Sequence, residues 1–225
     1  MNKTRKLVIV GSGETGRIAC EYFTFDSEYE VVGFAVDREF MSCETIAGLP
    51  VVPLDELEIK FPPAEYWAFA AASSTNLNRV RSDLYAKLKN KNYRLASYIS
   101  SKAFVWPNSQ IGENCFIFEN NTIQPFVKIG NNVVMWSGNH IGHSSIILDH
   151  CFLSSHVVIS GFCNVGEYSF LGVNSTVINN VYIGKDCFIG AGALIQENVP
   201  PESVLQESST CISKVSSRRL FKVRI

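Results

Sequence analysis

The sequence predicts a two-part chain: a small α/β domain of Rossmann-like type over residues 1–100, an all-β parallel β-helix over residues 101–201, and a closing tail of residues 202–225. Three observations predict it. An aliphatic residue recurs at every sixth position from 105 to 195. A glycine-rich turn joins a buried-strand pattern to a helical pattern near the N-terminus. A composition of 46% hydrophobic and 18% charged residues in 225 allows a sizeable core.

The repeat comes first. Stepping by six from Val105 gives Ile111, Ile117, Ile123, Ile129, Met135, Ile141, Ile147, Leu153, Ile159, Val165, Leu171, Val177, Ile183, Ile189 and Ile195, with no insertion. A six-residue step fits a short flat strand and a turn. Three steps make a triangular coil, so stacked coils bring these marker residues into a column inside a prism. Strand alternation turns the residue two before each marker inward as well. Those positions are small or short polar residues apart from four valines, and they include Cys115, Cys151, Cys163 and Cys187. The cysteines therefore read as packing residues rather than reagents. Glycine often follows the marker, as at Gly112, Gly142, Gly166 and Gly172, which suits tight corners. Fifteen steps give about five coils.

The N-terminal part reads as alternating strands and helices. Residues 6–10 are a short apolar strand, and Gly11, Gly13 and Gly16 follow in the pattern G-x-G-x-x-G, leading into a helix over residues 17–23. That placement between strand and helix suits a phosphate held on backbone N–H groups; a tight turn without ligand is the plainer alternative. The next strand, residues 29–36, ends at Asp37, where a carboxylate suits a ribose hydroxyl. A strand over 66–72, a helix over 75–88 and a strand over 94–99 complete the domain. It lacks one βαβ half of a full dinucleotide fold, so a mononucleotide or nucleotide sugar fits its size better than NAD.

Charge and cysteine usage exclude other classes. The net charge is −1 with no long basic or acidic block, which argues against a nucleic-acid or membrane-surface protein. No apolar run is long enough to span a membrane and no signal-peptide pattern opens the chain, so a cytoplasmic protein is expected. Seven cysteines at no C-x-x-C spacing predict neither a zinc site nor a disulfide framework.

All four histidines, His140, His143, His150 and His156, fall in one short stretch. His143 stands two residues after a marker, at a corner facing out of the prism, where it could serve as a general base near neutral pH. His150 and His156 take equivalent places on successive faces, which suits structural hydrogen bonding and does not suit a shared metal.

On these residues the chain resembles the bacterial nucleotide-sugar acyltransferases, a family that includes sialic acid O-acetyltransferase-like proteins and the bacillosamine- and perosamine-type N-acetyltransferases. The resemblance rests on residues 10–16 (VGSGETG), 34–37 (FAVD), 141–144 (IGHS), 156–161 (HVVISG), 170–174 (FLGVN) and 188–192 (FIGAG). It implies a left-handed β-helix, a homotrimer, and acetyl-CoA lying in the groove between adjacent prisms as acyl donor, with no metal. It implies that His143 is the base. Many members carry an acidic residue next to it, where this chain has Ser144, which could orient the ring in its place. Gly161, Val173, Gly190 and Ala191 match the CoA channel, and Phe152 a further contact. Gly11, Gly13 and Gly16 would face the phosphates or ribose, with Asp37 near the nucleoside. Thr75, Asn78 and Arg81 would lie beside the sugar nucleotide, a solvated helix face being the alternative for Arg79 and Arg81. Arg218, Arg219, Lys222 and Arg224 would cap the prism or put positive charge near the CoA phosphates.

The implied activity is acetyl-CoA-dependent N-acetylation of a nucleotide-linked 4-amino-4,6-dideoxysugar by direct attack of the amine. O-acetylation of a sialic-acid-like or other surface-polysaccharide sugar and a non-catalytic nucleotide-sugar-binding scaffold are the alternatives.

Overall fold

The structure, a computed structural model, describes residues 2–206 and 214–222. Its N-terminal part is a sheet of strands β1 (Arg5–Val10), β2 (Tyr29–Val36), β3 (Thr45–Ile46), β4 (Leu49–Pro53), β5 (Tyr66–Ala70) and β6 (Arg94–Leu95), with helices α1 (Glu14–Phe25), α2 (Leu57–Lys60) and α3 (Arg79–Asn90). The sheet order is β3-β4-β2-β1-β5-β6, parallel throughout except for the β3–β4 hairpin. The order reverses direction between β1 and β5, the kind of switch point where α/β sheets open a crevice at the carboxyl ends of their strands. The unbroken apolar run of β1 explains its central place. Leu7 and Ile9 pack with Phe23, Phe34 and Phe69 on one face, while Val8 and Val10 pack with Leu57 and Leu88 on the other.

Two expected elements shift, each for a local reason. The helix expected over 75–88 starts at Arg79, because Asn76, Leu77 and Asn78 have φ of 53°, 47° and 63°, a left-handed turn that cannot enter a right-handed helix. The strand expected over 94–99 is two strands. β6 closes the α/β sheet, and β7 (Tyr98–Ile99) already pairs with Phe116–Ile117 of the prism.

From β7 onward the chain winds through two-residue strands that form three parallel sheets of seven, six and five strands. One coil takes 18 residues. Accordingly Phe116 N–H donates to Val133 O at 2.9 Å, Val134 N–H to Cys151 O at 3.0 Å, and Phe152 N–H to Ser169 O at 2.9 Å. The markers from Ile117 to Ile195 are at most 4% exposed and form one apolar column with the inward cysteines and valines. Burying each contributes about 1.5–3 kcal/mol relative to exposure. The inward polar residues are not idle fillers: Cys115 and Cys151 Sγ each donate to a glycine carbonyl at 3.1 Å, and Ser145 and Ser169 Oγ donate to corner carbonyls at 2.8 and 2.9 Å.

The corners correct one expectation. The glycines after the markers are not the residues with positive φ; that conformation falls three residues before each marker from Ile117 to Ile195, on Asn114, Asn120, Phe126, Asn132, Ser144, His150, His156, Phe162, Tyr168, Asn174 and Asn180 among others. The glycines are needed for space instead. A Cβ on Gly142 would stand 2.6 Å from Gly161 N, and one on Gly172 2.6 Å from Ala191 N, both backbone atoms of the next coil.

The two parts share a core. Tyr98, Phe116, Phe118 and Val134 of the prism join the cluster that holds Phe23, Phe34 and Phe69, with Phe69 and Phe116 rings at 5.3 Å and Tyr22 and Phe118 at 4.8 Å. Arg81 pins the junction. It is 1% exposed and donates to Ala70 O at 3.0 Å, Asn114 O at 2.8 Å and Asn132 O at 3.4 Å. Burial pushes its guanidinium down to about 10, so it stays charged at neutral pH while three carbonyls replace its water. Among the described residues no helix is long and apolar enough to cross a membrane. Arg218 and Arg219 lie on a short exposed helix, Ser217–Leu220, and Lys222 is exposed beside it; Arg224 lies outside the described residues.

Candidate active site

A cavity of about 620 Å³ opens at the switch point between β1 and β5. Its floor is Val10 to Thr15 and Ala71 to Ser73, its far wall Val36, Asp37 and Phe40, its near wall Val80 and Leu84 of α3, and its edge Trp136 of the prism. That volume lies in the usual range for small-molecule sites, about 300–1,000 Å³. A smaller cavity of about 70 Å³ adjoins it, bounded by Trp136, Phe152, Phe116 and Phe118.

The three glycines have three different jobs. Gly11 has φ of 121° and a Cβ there would overlap the Ala71 carbonyl, so it lets β1 turn tightly beside β5. Gly16 packs helix to strand, since its Cβ would overlap the Gly11 carbonyl. At Gly13 a Cβ would meet nothing within 4 Å, so it is the point where the backbone is open to the cavity. Gly13 is also the N-cap of α1 and supplies no side chain to the helix's first N–H groups, which leaves them for an anion. Asp37 lines the same cavity and accepts from Lys87 Nζ at 3.1 Å.

Of the polar loop after β5, Thr75 is exposed, with its hydroxyl 2.7 Å from that of Ser73 in the cavity wall. Asn78 and Arg81 are elsewhere than expected. Asn78 is 1% exposed and donates to His150 O at 2.7 Å, and the donors of Arg81 are spent on the carbonyls of the junction. Neither faces the cavity. The alternative of a solvated helix face fails as well for Arg81, while Arg79 pairs with Asp186 and lies over the Tyr168 ring at 3.4 Å. His150 stacks on the other side of that cluster, 4.6 Å from Tyr168. Asn132 Oδ1 accepts from Asn114 Nδ2, so its amide nitrogen faces His150 Nδ1 at 2.9 Å and donates to it, leaving the proton of a neutral ring on Nε2. Burial above all holds this imidazole below its ordinary value, with Arg81 and Arg79 adding to the effect and Asp149 opposing it.

His143 is exposed at a prism corner, as its register required. Its N–H donates to Gln124 Oε1 at 2.9 Å and its carbonyl accepts from Phe162 N–H at 3.0 Å. The ring lies over Gly161, where a Cβ would stand 2.7 Å from Nε2. Its other neighbour is the Phe162 ring, edge to face at 4.8 Å. Among the described residues neither ring nitrogen has a hydrogen-bond partner; Ser144, at φ of 59°, donates its N–H to Pro125 O and places no bond on the imidazole. Three of the inward cysteines are poor nucleophiles: burial pushes Cys115 up to about 11, Cys151 up to about 12, and Cys163 upward. Among the described residues no three His, Cys, Asp or Glu side chains converge as a metal site.

The remaining residues lie around other edges. Val173 is exposed and Ala191 is stacked one coil away on the corner that follows the sheet of Phe152, Phe170 and Phe188. Gly190 is buried beside it, with its N–H on Leu205 O at 2.7 Å. Phe152 stacks on Phe170 at 5.4 Å and Phe170 on Phe188 at 5.0 Å. One face, carrying Val158 and Leu194, separates this corner from that of His143 and Gly161. Thus the structure groups Gly11, Gly13 and Asp37, groups His143 with Gly161, and groups Val173 with Gly190 and Ala191. Sequence reasoning missed Trp136, Phe40, Val80 and Leu84 on the cavity and Phe162 on the histidine. None of them left a signal in the sequence, since the corner position of Phe162 also carries Phe126 two coils earlier.

Residues 108–143 and 162–197 match the family described as bacterial transferase hexapeptide (six repeats). An acyl-[acyl-carrier-protein]–UDP-N-acetylglucosamine O-acyltransferase of Stutzerimonas stutzeri is 33% identical over 72 residues, covering 32% of this chain. The chain spans only 28% of that relative's length. Two solved structures share the fold over nearly the whole chain. The acetyltransferase domain of PglB from Neisseria gonorrhoeae has a TM-score of 0.81 at 23% identity, covering 91% of this chain and 97% of that one, and is also known in complex with acetyl coenzyme A. Perosamine N-acetyltransferase from Caulobacter crescentus, in complex with CoA and GDP-perosamine, has a TM-score of 0.79 at 24% identity and covers 90% and 93%.

Proposed function

We propose that the protein is an acetyl-CoA-dependent N-acetyltransferase acting on a nucleotide-linked 4-amino-4,6-dideoxysugar, as a cytoplasmic homotrimer. In this reading residues 1–100 are a Rossmann-like nucleotide-sugar domain, 101–201 a left-handed β-helix that carries acyl transfer, and 202–225 a closing tail. The observation that carries it is the pairing of a nucleotide-sized cavity behind Gly13 with an exposed His143 whose ring nitrogens are free for a substrate proton. The strand order and its switch point support the first half, and the relatives solved with CoA or acetyl coenzyme A support the second.

Phosphates would rest on the N–H groups at the start of α1, with the nucleoside toward Asp37 and Thr75 at the mouth of the cavity. Small residues at Gly161, Gly190 and Ala191 leave the prism backbone open to an extended thioester arm, with Val173 and Phe152 as apolar contacts. Because His143 and Val173 stand on different corners of one prism, the groove would join His143 and Gly161 of one copy to Val173 and Ala191 of the next. The amine attacks the thioester carbonyl while His143 takes its proton. The C–N bond forms, the C–S bond breaks, and the thiolate leaves to be protonated as free CoA. Backbone N–H groups would meet the oxyanion, and holding both substrates in one groove supplies much of the rate.

The test is release of free thiol from acetyl-CoA with a panel of nucleotide-linked amino sugars. Thiol release with an amino sugar, lost on His143→Ala, is the expected result. Release only with hydroxyl acceptors would make the enzyme an O-acetyltransferase, and nucleotide binding without any thiol release would make it a scaffold.

A further inference from the structure

Phe162 occupies a position that its own chemistry disfavours. It has φ of 58° and is 58% exposed, a large aromatic in left-handed conformation on an open corner. A bulky residue is strained in this conformation. The equivalent corners at 114, 120, 132, 174 and 180 carry Asn, which adopts it readily, and those at 126 and 168 carry Phe and Tyr. Phe162 gives up that ease and places its ring edge to face on His143, 4.8 Å away at 88°. Gly161 clears the other side of the imidazole.

We propose that Phe162 is the positioning residue of His143: with no hydrogen bond on the imidazole among the described residues, apolar packing between Gly161 and Phe162 sets the ring's direction. The inference rests on the acyltransferase reading above and deepens it. An edge-to-face pair restricts the imidazole to one orientation without hydrogen-bonding either nitrogen. Both nitrogens therefore stay available, one to accept the substrate proton and the other to pass it on to water.

The test is Phe162→Asn, which suits the backbone better than the native residue. Its Tm is expected to equal or exceed the wild type's, and kcat is expected to fall about tenfold to a hundredfold, the penalty of a misplaced catalytic group, with both KM values within about twofold. Phe162→Tyr, which keeps the ring, should restore kcat. Independently of any turnover, the ring-proton resonances of His143, assigned by their loss in His143→Ala, should move in Phe162→Asn while those of His140, His150 and His156 stay. Phe126, at φ of 66° and 63% exposed, sits on the same corner two coils earlier, with Pro107 in the place of His143. Phe126→Asn should leave kcat unchanged. Wild-type kcat in Phe162→Asn, unmoved His143 resonances, or an equal loss in Phe126→Asn would each overturn the proposal. A wild-type protein that turns over no acceptor defeats the acyltransferase reading instead, and the resonance shift still decides the contact.

Discussion

Replacing Gly161 with alanine asks whether the place of the His143 ring matters to turnover. The added Cβ would stand 2.7 Å from Nε2 and 2.8 Å from Cε1 of His143, where ordinary contact begins at 3.4 Å. The ring must therefore move by the difference between 3.4 and 2.7 Å, about 0.7 Å. Every atom in the way belongs to the imidazole, so a side-chain rotation relieves the overlap and the coil is undisturbed. Gly161 is not among the residues with positive φ, so alanine adds no strain. It also narrows the unfolded ensemble, worth about 0.4–1 kcal/mol in favour of folding. Stability should hold while kcat falls about 10²-fold, since a displacement near 1 Å costs that much. Gly142→Ala is the counterpart. Its Cβ meets the backbone at 2.6 Å from Gly161 N and 2.7 Å from Ser160 O, neither of which can swing away. Overpacking of that kind costs about 3 kcal/mol, which lowers Tm by about 6–12 °C in a chain of this size. Thermal melts of both variants, with initial rates of thiol release at saturating acetyl-CoA, separate the two effects. Wild-type kcat in Gly161→Ala would refute the claim that the ring's place matters, and a Tm loss like that of Gly142→Ala would refute the reading of the corner.

Arg81→Met should lower Tm by about 6–12 °C, because three carbonyls lose their donor at a net cost of about 3 kcal/mol; a wild-type melt would deny the clamp. His150 is held below its ordinary value by burial, so the unfolded chain binds its proton more readily than the folded one. Its stabilising contribution is full above about pH 6.5 and is lost as the pH falls from there toward the folded-state value. Melting curves between pH 7.5 and 5.5 should accordingly fall more steeply for the wild type than for His150→Asn, and parallel curves would contradict that sign. Leu194→Glu puts a charge on the face between the two corners, where Leu194 is 53% exposed. Loss of the proposed trimer by light scattering, with nucleotide binding kept and thiol release abolished, is expected.

The prism was legible because one constraint repeats. Each marker must be aliphatic or the column opens a cavity, so a period of six survives from Val105 to Ile195. The buried runs of β1 and β2 were legible for a similar reason, since a strand covered on both faces must be apolar throughout. The start of α3 was not legible, because three left-handed residues precede it and Leu77 gives no hint of that conformation. The role of Arg81 was not legible either. Its partners lie at Ala70, Asn114 and Asn132, contacts that exist only once the two parts have docked. Trp136 enters the cavity by the same docking, so nothing near it in the sequence points to a ligand.

The division of the site, by contrast, could have been worked out from residue numbers alone. A coil is 18 residues, so His143 and Gly161 share a corner, whereas Val173 stands on the neighbouring one, with the face of Val158 between them. In the proposed reading the two walls of the CoA groove therefore come from different corners. The glycine-turn cavity reinforces the point, since Trp136 and Phe152 tie it to the sheet that precedes Val173 and not to the corner of His143. Within one copy the cavity behind Gly13 and the His143 ring are bounded by different residues, Trp136 on the one and Phe162 on the other. In the proposed reading direct transfer from thioester to amine requires the two to meet, so that reading calls for assembly across the face of Val158 and Leu194.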